Sequence, residues 1–327
     1  MENNNNSKNN EVGAPSNGKK VLITGGAGFI GSNLTKFLCD HGHEVTVIDD
    51  LSSAGHTPDE IDQRAKLVIG NIGDEKLLDT LIPGKEVVFH LAAAGIIKLS
   101  LEDPYFYFQN NVLNGVKLLE AMRRHGVKKI VYSSSSSAYG EPIKAPIPED
   151  HPLNPINPYG ASKICFEHVL SSYHHSFGIN SVSLRYFNVY GPGDEQIPRT
   201  RAVPTWVVNA IEGKPLPLYW EGKQKKDYIF VEDVAQANLM AADKCDGFRF
   251  YNVGSGNGIW MHDLIKVLEK VMDKKLEVQQ MGERKGDPTV TVGDISKITK
   301  ELGWKPQVDL ETGLRKTIEY YKKHLNK

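Results

Sequence analysis

Cysteine is scarce in this chain, with only Cys39, Cys165 and Cys245 among 327 residues. They are odd in number and far apart, so neither a disulfide framework nor a C-x-x-C zinc site is indicated. Metal-ligating residue types crowd together at 39–43, but that segment is typical of a helix end turning into a strand. No metal is expected.

An excess of charge of one sign is also missing. Lys and Arg number 39 and Asp and Glu 40, which gives a formal net charge of -1. This balance argues against a protein that binds nucleic acid or membrane surfaces. No run approaches the roughly 18 apolar residues of a membrane helix. With 40% hydrophobic and 24% charged residues, a globular fold is expected.

The first 18 residues have almost no apolar side chains. Asn, Ser, Gly and Lys dominate them and cannot bury enough surface to offset the entropy of ordering, so a disordered tail is expected at 1–18. The segment has no apolar core of the kind that a signal peptide carries. A reducing cytoplasm is therefore the expected location.

From residue 20 onward, strand-like and helical patterns alternate. Strand patterns cover 20–24, 44–49, 65–70, 86–91, 129–133 and 180–185, and helical patterns cover 29–40, 104–125, 158–177 and 230–242. Several strands are apolar on both faces. The order predicts an α/β fold with a Rossmann-type, doubly wound parallel sheet.

A glycine-rich turn joins the first strand to the first helix. It reads TGGAGFIG at 24–31 and holds G-x-G-x-x-G at Gly26, Gly28 and Gly31. Glycine lets the backbone approach a pyrophosphate, which the helix amides then bind. Asp49 ends the second strand. A carboxylate there accepts hydrogen bonds from ribose hydroxyls and repels a 2′-phosphate, so NAD is favoured over NADP. The alternative for Asp49 and Asp50 is strand-end solvation.

The regular alternation of strands and helices ends after residue 190, where prolines become frequent and the predicted segments become short. We expect an NAD-binding domain at 19–190, joined by part of 228–260. Residues 191–327 are expected to form mainly a smaller C-terminal substrate-binding lobe. Such a lobe would lie at the carboxyl ends of the strands, where α/β folds place ligands.

Tyr159 and Lys163 are four residues apart in YGASK and share one face of the predicted helix. A nearby ammonium favours the phenolate, which suits a base that takes a proton from a sugar hydroxyl. The serine run at 133–137 follows a strand, which places its hydroxyls at the carboxyl end beside the cofactor. The alternative for that run is a flexible linker.

Several motifs in order resemble the extended short-chain dehydrogenase/reductase family, and within it the nucleotide-sugar 4-epimerases. They are TGGAGFIG, VID, FHLAA, SSSSSAYG, YGASK and LRYFNVYGPG. The resemblance runs from about residue 20 to the C-terminus. It implies an NAD-dependent enzyme that forms a transient 4-keto sugar from a UDP-sugar, and it implies a homodimer.

The resemblance also implies roles for individual residues. Ser135 matches the catalytic Ser/Thr, Tyr159 the base and Lys163 the residue that tunes it. The cofactor residues implied are Gly25, Gly28, Phe29, Ile30, Gly31, Asp49, Asp50, Asn71, Ile72, Leu91, Ala92, Ala93, Asn111, Tyr159 and Lys163. The substrate residues implied are Ser135, Ser136, Tyr159, Asn188, Leu218, Tyr219, Lys226, Arg284, Asp287 and Thr291.

Two positions depart from the family pattern. Asn71-Ile72 stands where Asp-Ile often meets the adenine amino group, so the Asn71 amide oxygen is the expected acceptor. Lys226 replaces the arginine of a phosphate-binding element, which keeps the charge and loses the bidentate fork. The alternative for Lys226 is a solvated member of the charge run at 223–226.

The related reactions differ in the two residues after the catalytic serine. Family dehydratases carry Asp-Glu there and decarboxylases carry a Glu, whereas this chain has Ser136 and Ser137. The resemblance therefore favours 4-epimerisation. Thr291 stands where a bulky tyrosine restricts some relatives to plain hexoses. This favours N-acetylhexosamines first, alongside UDP-glucose and UDP-galactose, with uronic acids as the alternative.

Two expectations concern chemistry and assembly. A catalytically silent NAD-binding protein is a remote alternative, against which the intact Ser135, Tyr159 and Lys163 weigh. A homodimer through the helices at 104–125 and 158–177 is expected from the family. The aromatic run at 105–108 supplies more aromatic surface than one helix face buries, although those four side chains fit a core equally well.

Overall fold

The computed structural model describes residues 18–52, 58, 61–195, 197–283 and 286–325. The tail expected at 1–18 lies outside these residues except for Gly18, and Arg284 also lies outside them. The strands are β1 (Lys20–Thr24), β2 (Glu44–Asp49), β3 (Lys66–Ile69), β4 (Val87–His90), β5 (Lys129–Ser135), β6 (Asn180–Tyr186), β7 (Asn188–Tyr190), β8 (Leu216–Leu218), β9 (Lys225–Phe230), β10 (Phe248–Val253), β11 (Gly258–Trp260), β12 (Val278–Gln280) and β13 (Val290–Thr291). The helices are α1 (Phe29–Asp40), α2 (Glu75–Leu81), α3 (Ile97–Glu102), α4 (Pro104–Phe108), α5 (Asn114–Arg124), α6 (Pro158–Phe177), α7 (Ala202–Glu212), α8 (Val231–Lys244), α9 (Met261–Met272), α10 (Ser296–Leu302) and α11 (Leu310–Leu325).

A parallel sheet of seven strands forms the centre of the molecule, in the order β10-β6-β5-β4-β1-β2-β3. The predicted α/β, Rossmann-type fold is therefore confirmed. Strand order reverses between β1 and β4, because β1 pairs with β2 on one side and with β4 on the other. Ligands of open α/β sheets bind at such a reversal, beyond the carboxyl ends of the strands.

Helices cover both faces of this sheet, which explains why its strands are apolar on both sides. On one face α1, α8 and α10 pack against side chains such as Ile23 and Val131. On the other face α2, α5 and α6 pack against side chains such as Leu22 and Ile130. The two cores hold the carboxyl ends of the strands in fixed positions, and the candidate active site is built on those ends.

The helix predicted at 104–125 is confirmed, and it contains an irregularity that the pattern did not indicate. The chain is helical from Pro104 to Arg124 as α4, a π-helical turn at Gln109–Leu113 and then α5. The helix predicted at 158–177 is confirmed as α6, with Pro158 in its first turn and Asn157 accepting the Gly160 amide at 2.7 Å. The strands predicted at 129–133 and 180–185 continue to Ser135 and Tyr186.

The C-terminal part adds a four-stranded sheet of β7, β9, β11 and β13 and a two-stranded sheet of β8 and β12. With α7, α9 and α11 they enclose a separate core around Trp206, Leu264 and Leu314. Within the described ranges, no helix combines the length and apolar character of a bilayer crossing. Nor do three or more His, Cys, Asp or Glu side chains of those ranges gather where they could hold a metal ion.

Candidate active site

A cavity of about 810 Å³ is lined by residues that follow β1, β4 and β5 and by residues of the C-terminal part. It therefore lies where the strand order reverses. The implied cofactor residues in its lining are Gly25, Gly28, Phe29, Ile30, Gly31, Leu91, Ala93, Tyr159 and Lys163. The implied substrate residues in its lining are Ser135, Ser136, Tyr159, Asn188, Leu218, Tyr219, Lys226 and Asp287. The structure thus brings the two predicted sets together.

The glycine turn packs too tightly for side chains. A Cβ on Gly31 would lie 2.1 Å from the Gly25 carbonyl oxygen, and Gly25 itself has φ +73°. Helix α1 begins directly after Gly28, and no side chain caps it. Its first amides are thus left for a ligand, since a helix start has no internal partners for them.

Asp49 lies at the end of β2 beside this turn. One of its carboxylate oxygens accepts the Ala27 amide at 2.9 Å and the other accepts the Leu51 amide at 2.9 Å. Each oxygen keeps a further lone pair, which suits ribose hydroxyl donors. The tight glycine turn and the uncapped start of α1 suit a pyrophosphate, and the Asp49 carboxylate suits a ribose. Together they fit the expected dinucleotide.

Replacing Gly31 by Ala is expected to abolish cofactor binding, because the added methyl group collides with the backbone of the turn. The measurement is the NAD released on denaturing the purified protein, with thermal unfolding as a check on folding. Gly282→Ala is the matched control, since a Cβ there meets nothing within 4 Å. Full NAD content in a folded Gly31→Ala variant would contradict this role for the turn.

The far end of the cofactor region is built from Asp50 and Asn71. The Asn71 amide nitrogen donates to Asp50 at 2.7 Å, and its oxygen accepts the Gly73 amide at 2.7 Å. The oxygen expected to meet the adenine amino group therefore already takes one backbone bond. Ile72 is buried in the core beneath this end. Asp49, Asp50, Asn71, Ile72, Ala92 and Asn111 lie outside the lining of the cavity.

Ser135, Tyr159 and Lys163 meet at the end of β5. Ser135 and Tyr159 both line the cavity, and the Ser135 hydroxyl accepts the Ser137 amide at 3.2 Å. Lys163 is buried and donates to the Ser133 carbonyl oxygen at 2.8 Å. Its Nζ atom lies 5.8 Å from the centre of the Tyr159 ring. This is a proton-transfer arrangement, because a hydroxyl, a phenol and an ammonium share one wall of the cavity.

The electrostatics of Tyr159 differ from the sequence-based expectation. Burial raises the pKa of Tyr159, while the hydrogen bond from Ser135 and the charge of Arg201 lower it. Burial also lowers the pKa of Lys163 to about 7, although the Glu167 carboxylate raises it. An ammonium with that pKa is only partly charged near neutrality, so Lys163 contributes less positive charge than expected.

Asn111 lies in the π-helical turn and does not reach the cavity. Its amide oxygen accepts the Ala94 amide at 2.8 Å, and its nitrogen donates to the Ala94 carbonyl at 3.1 Å and to Ser162 at 3.0 Å. These bonds join the segment after β4 to α6, which carries Tyr159. The structural role implied for Asn111 fits these contacts, and π turns are often found at functional sites.

The substrate side of the cavity lies in the C-terminal part. Asn188 lines the cavity, and its side-chain nitrogen donates to the Asp227 carbonyl at 2.9 Å. Leu218 and Tyr219 line the cavity as expected. Thr291 is buried on β13, in register with Lys226 of β9, and lies outside the lining.

Lys226 is neither a solvated surface lysine nor an unpaired cation. It is buried, and its Nζ atom donates to Asp287 at 2.9 Å and to the Pro288 carbonyl at 2.6 Å. The alternative of a solvated member of the charge run at 223–226 is therefore wrong for Lys226. Lys226 holds the turn that carries Asp287, and its charge is balanced by that carboxylate.

Sequence reasoning missed two arginines of the lining. Arg199 and Arg201 lie just before α7 and contribute to the cavity. Arg199 is paired with Glu195 at 3.1 Å, and Arg201 is paired with the buried Asp194. No motif marks them, and only the folding of the C-terminal part onto the sheet brings them to the cavity. The R-x-R spacing beside Pro198 is the one local signal.

Comparison with known proteins adds family information. The model of the NAD dependent epimerase/dehydratase family matches residues 21–254. The chain is 34% identical over 319 residues to the UDP-glucose 4-epimerase of Corynebacterium glutamicum, covering 92% of this chain and 94% of that protein. The crystal structure of UDP-glucose 4-epimerase with UDP-glucose from Thermotoga maritima matches with a TM-score of 0.89 and 35% identity, covering 94% and 99% of the two chains. The UDP-N-acetylglucosamine 4-epimerase from Methanobrevibacter ruminantium M1, in complex with UDP-N-acetylmuramic acid, matches with a TM-score of 0.89 and 33% identity, covering 94% and 100%.

Proposed function

The chain belongs to the NAD dependent epimerase/dehydratase family, and from that premise we propose a 4-epimerase that interconverts UDP-N-acetylglucosamine and UDP-N-acetylgalactosamine, and also UDP-glucose and UDP-galactose. The observation that carries the proposal is that Ser135 and Tyr159 line the same cavity as the glycine turn. This supports a proton-transfer pair within reach of a bound dinucleotide.

The reaction needs a proton acceptor for the sugar 4-hydroxyl group. Ser135 would hydrogen-bond the sugar O4, and ionised Tyr159 would take its proton as the C4–H bond breaks, giving a 4-keto sugar. Residues such as Gly28, Gly31 and Asp49 would hold NAD, which would supply the acceptor for the hydride of C4 and its return to the opposite face of the sugar. Tyr159 then gives its proton back to O4, so the protein ends in its starting state.

The residues after Ser135 support epimerisation over elimination. Ser136 and Ser137 line the cavity at the positions where family dehydratases carry an acid pair. Hydroxyls at neutral pH are poor bases for removing a proton from C5. A 4-keto sugar formed here has no carboxylate from these two positions to drive loss of water from C5 and C6.

The preference for N-acetylhexosamines rests on the small residue at position 291, where some relatives carry a tyrosine. Thr291 is buried on β13 and paired in register with Lys226 of β9, which lines the cavity. The similarity to a UDP-N-acetylglucosamine 4-epimerase over 94% of the chain supports the same choice. UDP-glucuronate is the alternative substrate.

The deciding experiment incubates the purified protein separately with UDP-glucose, UDP-N-acetylglucosamine and UDP-glucuronate and resolves the products. We expect the 4-epimer of the N-acetylhexosamine and, to a smaller extent, that of glucose. Conversion of UDP-glucuronate alone would transfer the assignment to a uronate epimerase. A dehydrated or decarboxylated 4-keto product would overturn epimerisation, and no turnover with bound NAD would favour the silent NAD-binding protein.

The proposed assembly is a homodimer through α4, the π-helical turn and α6. Tyr107 is buried and belongs to the core, but Tyr105 is 75% exposed and Phe106 is 47% exposed. Leu113 in the π-helical turn is 56% exposed. A second copy of the chain would cover these apolar side chains. Light scattering should give twice the chain mass, and Tyr105→Glu should shift it to the monomer; a monomeric unmodified protein would contradict the dimer.

A further inference from the structure

A short turn of the C-terminal part lies against the NAD-binding part of the chain. It covers residues 286–289 and carries Asp287, one of the implied substrate residues, which lines the cavity. A Cβ built on Gly286 would lie 3.5 Å from the Ile97 side chain, so the turn lies close to α3. The bonds that hold this turn therefore also fix the position of Asp287 relative to the proton-transfer pair.

The middle of the turn is held by its own part of the chain. Lys226 donates to the Asp287 carboxylate at 2.9 Å and to the Pro288 carbonyl at 2.6 Å. The Gln224 side chain donates to the same Pro288 carbonyl at 3.2 Å. Lys226 belongs to β9 and Gln224 directly precedes it, so these bonds fix the turn to the C-terminal sheet and not to α6.

The two ends of the turn are held by side chains of the NAD-binding part. The Asn157 side-chain nitrogen donates to the Gly286 carbonyl at 3.0 Å. The Glu141 carboxylate accepts the Thr289 amide at 2.9 Å and also the Thr289 hydroxyl. Asn157 and Glu141 both lie outside the lining of the cavity. They contact the turn and are not placed to contact a ligand in the cavity.

Asn157 makes a second bond, which joins the turn to the proton-transfer pair. Its side-chain oxygen accepts the Gly160 amide at 2.7 Å and so caps α6 two residues before Tyr159. This start of α6 packs against the serine run, since a Cβ on Gly160 would lie 2.4 Å from the Ser137 carbonyl oxygen. One buried amide therefore joins the turn that carries Asp287 to the helix that carries Tyr159.

We propose that Asn157 and Glu141 are positioning residues that hold the 286–289 turn ready for the nucleotide of the substrate; this inference rests on the proposed epimerase function. A turn that is already fixed when the substrate arrives loses less conformational freedom on binding, so the affinity is higher. Loss of either bond should therefore weaken nucleotide binding. A bound nucleotide would itself restore the position of the turn, so turnover at saturating substrate should change little.

The experiment separates the two bonds that Asn157 makes. Asn157→Ser keeps a good capping oxygen but lacks the amide nitrogen that reaches Gly286. We expect the Kd of UDP, measured by calorimetry on the NAD-loaded protein, to rise about fivefold, the equivalent of one neutral hydrogen bond. The KM for UDP-N-acetylglucosamine should rise equally, while kcat stays within about twofold of the wild type. Asn157→Ala also removes the cap and should lower the thermal midpoint as well.

Two further variants complete the comparison. Glu141→Ala removes the bonds to Thr289 and should raise the Kd of UDP as Asn157→Ser does. Asp309→Ala is the matched control for loss of a helix cap, because Asp309 accepts the Thr312 amide at 2.9 Å at the start of α11 and lies outside the cavity lining. It should lower the thermal midpoint and leave the Kd of UDP unchanged.

The outcomes separate this inference from the proposed function. A wild type that binds UDP but converts no UDP-sugar contradicts the epimerase, and the Kd values still test the two positioning residues. A wild type that binds no UDP overturns the inference. Wild-type affinity in a folded Asn157→Ser variant overturns it, and if that variant does not fold, wild-type affinity in Glu141→Ala does so. A lower kcat with an unchanged KM also overturns it, because the effect would then lie within α6.

Discussion

Replacing Tyr159 by Phe is expected to lower kcat of epimerisation about a thousandfold, because a positioned acid–base group contributes about 10²–10⁴ to the rate. The substitution removes a single oxygen atom, the phenol oxygen proposed to take the proton of the sugar hydroxyl. The ring and its contact with Tyr107 remain, so the wall of the cavity keeps its shape. The measurement is the steady-state conversion of UDP-N-acetylglucosamine to its 4-epimer, together with the thermal midpoint and the NAD content.

Tyr132→Phe is the matched control for this prediction. Tyr132 lies on β5 with its ring centre 5.0 Å from the Lys163 ammonium, and its buried hydroxyl has no hydrogen-bond partner among the described residues. Removing an unpartnered buried hydroxyl should change neither fold nor rate substantially. A Tyr159→Phe variant that keeps the wild-type rate would show that the proton leaves the sugar by another route. Equal losses in both variants would point to general disruption of β5 and α6.

The glycine turn and Asp49 could be predicted because their roles are local. A turn that passes from a strand to a helix within a few residues needs backbone dihedrals and close approaches that only glycine allows, so glycines mark it in the sequence. The structure places the added methyl of Gly31 2.1 Å from a carbonyl oxygen, so the constraint lies within residues adjacent in the chain. Sequence patterns indicate such constraints directly.

The serine run shows where composition misleads. Five consecutive serines are typical of a linker, yet Ser133, Ser134 and Ser135 continue β5, paired with β6 across the full register. Ser134 donates to the buried Glu167 at 2.5 Å, and Ser135 meets Tyr159. The position of the run directly after a strand was the better signal, because the carboxyl ends of parallel strands collect functional side chains.

The π-helical turn at Gln109–Leu113, the pairing of Lys226 and the place of Arg201 in the cavity could not be predicted, because each depends on residues distant in the chain. The π-helical turn accompanies the bonds of Asn111 to Ala94 and Ser162. Lys226 is occupied by Asp287, and Arg201 joins the cavity lining from the C-terminal part. Helical periodicity and charge counts describe neighbours within a segment, and these contacts join separate segments.

Replacing Arg185 by Met is expected to destabilise the protein by about 3–5 kcal/mol, the usual cost of leaving one partner of a buried ion pair uncompensated. Arg185 lies on β6, and both it and Glu167 have side chains that are 3% exposed. The pair is bidentate, with N–H···O distances of 3.0 and 2.7 Å, and Arg185 also donates to the Tyr139 hydroxyl at 2.9 Å. Equilibrium unfolding in urea measures the loss.

Arg123→Met provides the comparison, because Arg123 pairs with Glu120 at the surface, where the side chains are 42% and 31% exposed, and such pairs contribute at most about 1 kcal/mol. A second variant tests the mechanism of the Arg185 loss. Combining Arg185→Met with Glu167→Leu removes both charges, so most of the stability should return if the unpaired carboxylate is the cause. Persistence of the full loss in the double variant would instead assign the effect to the bonds that Arg185 makes with Tyr139 and the Glu149 carbonyl.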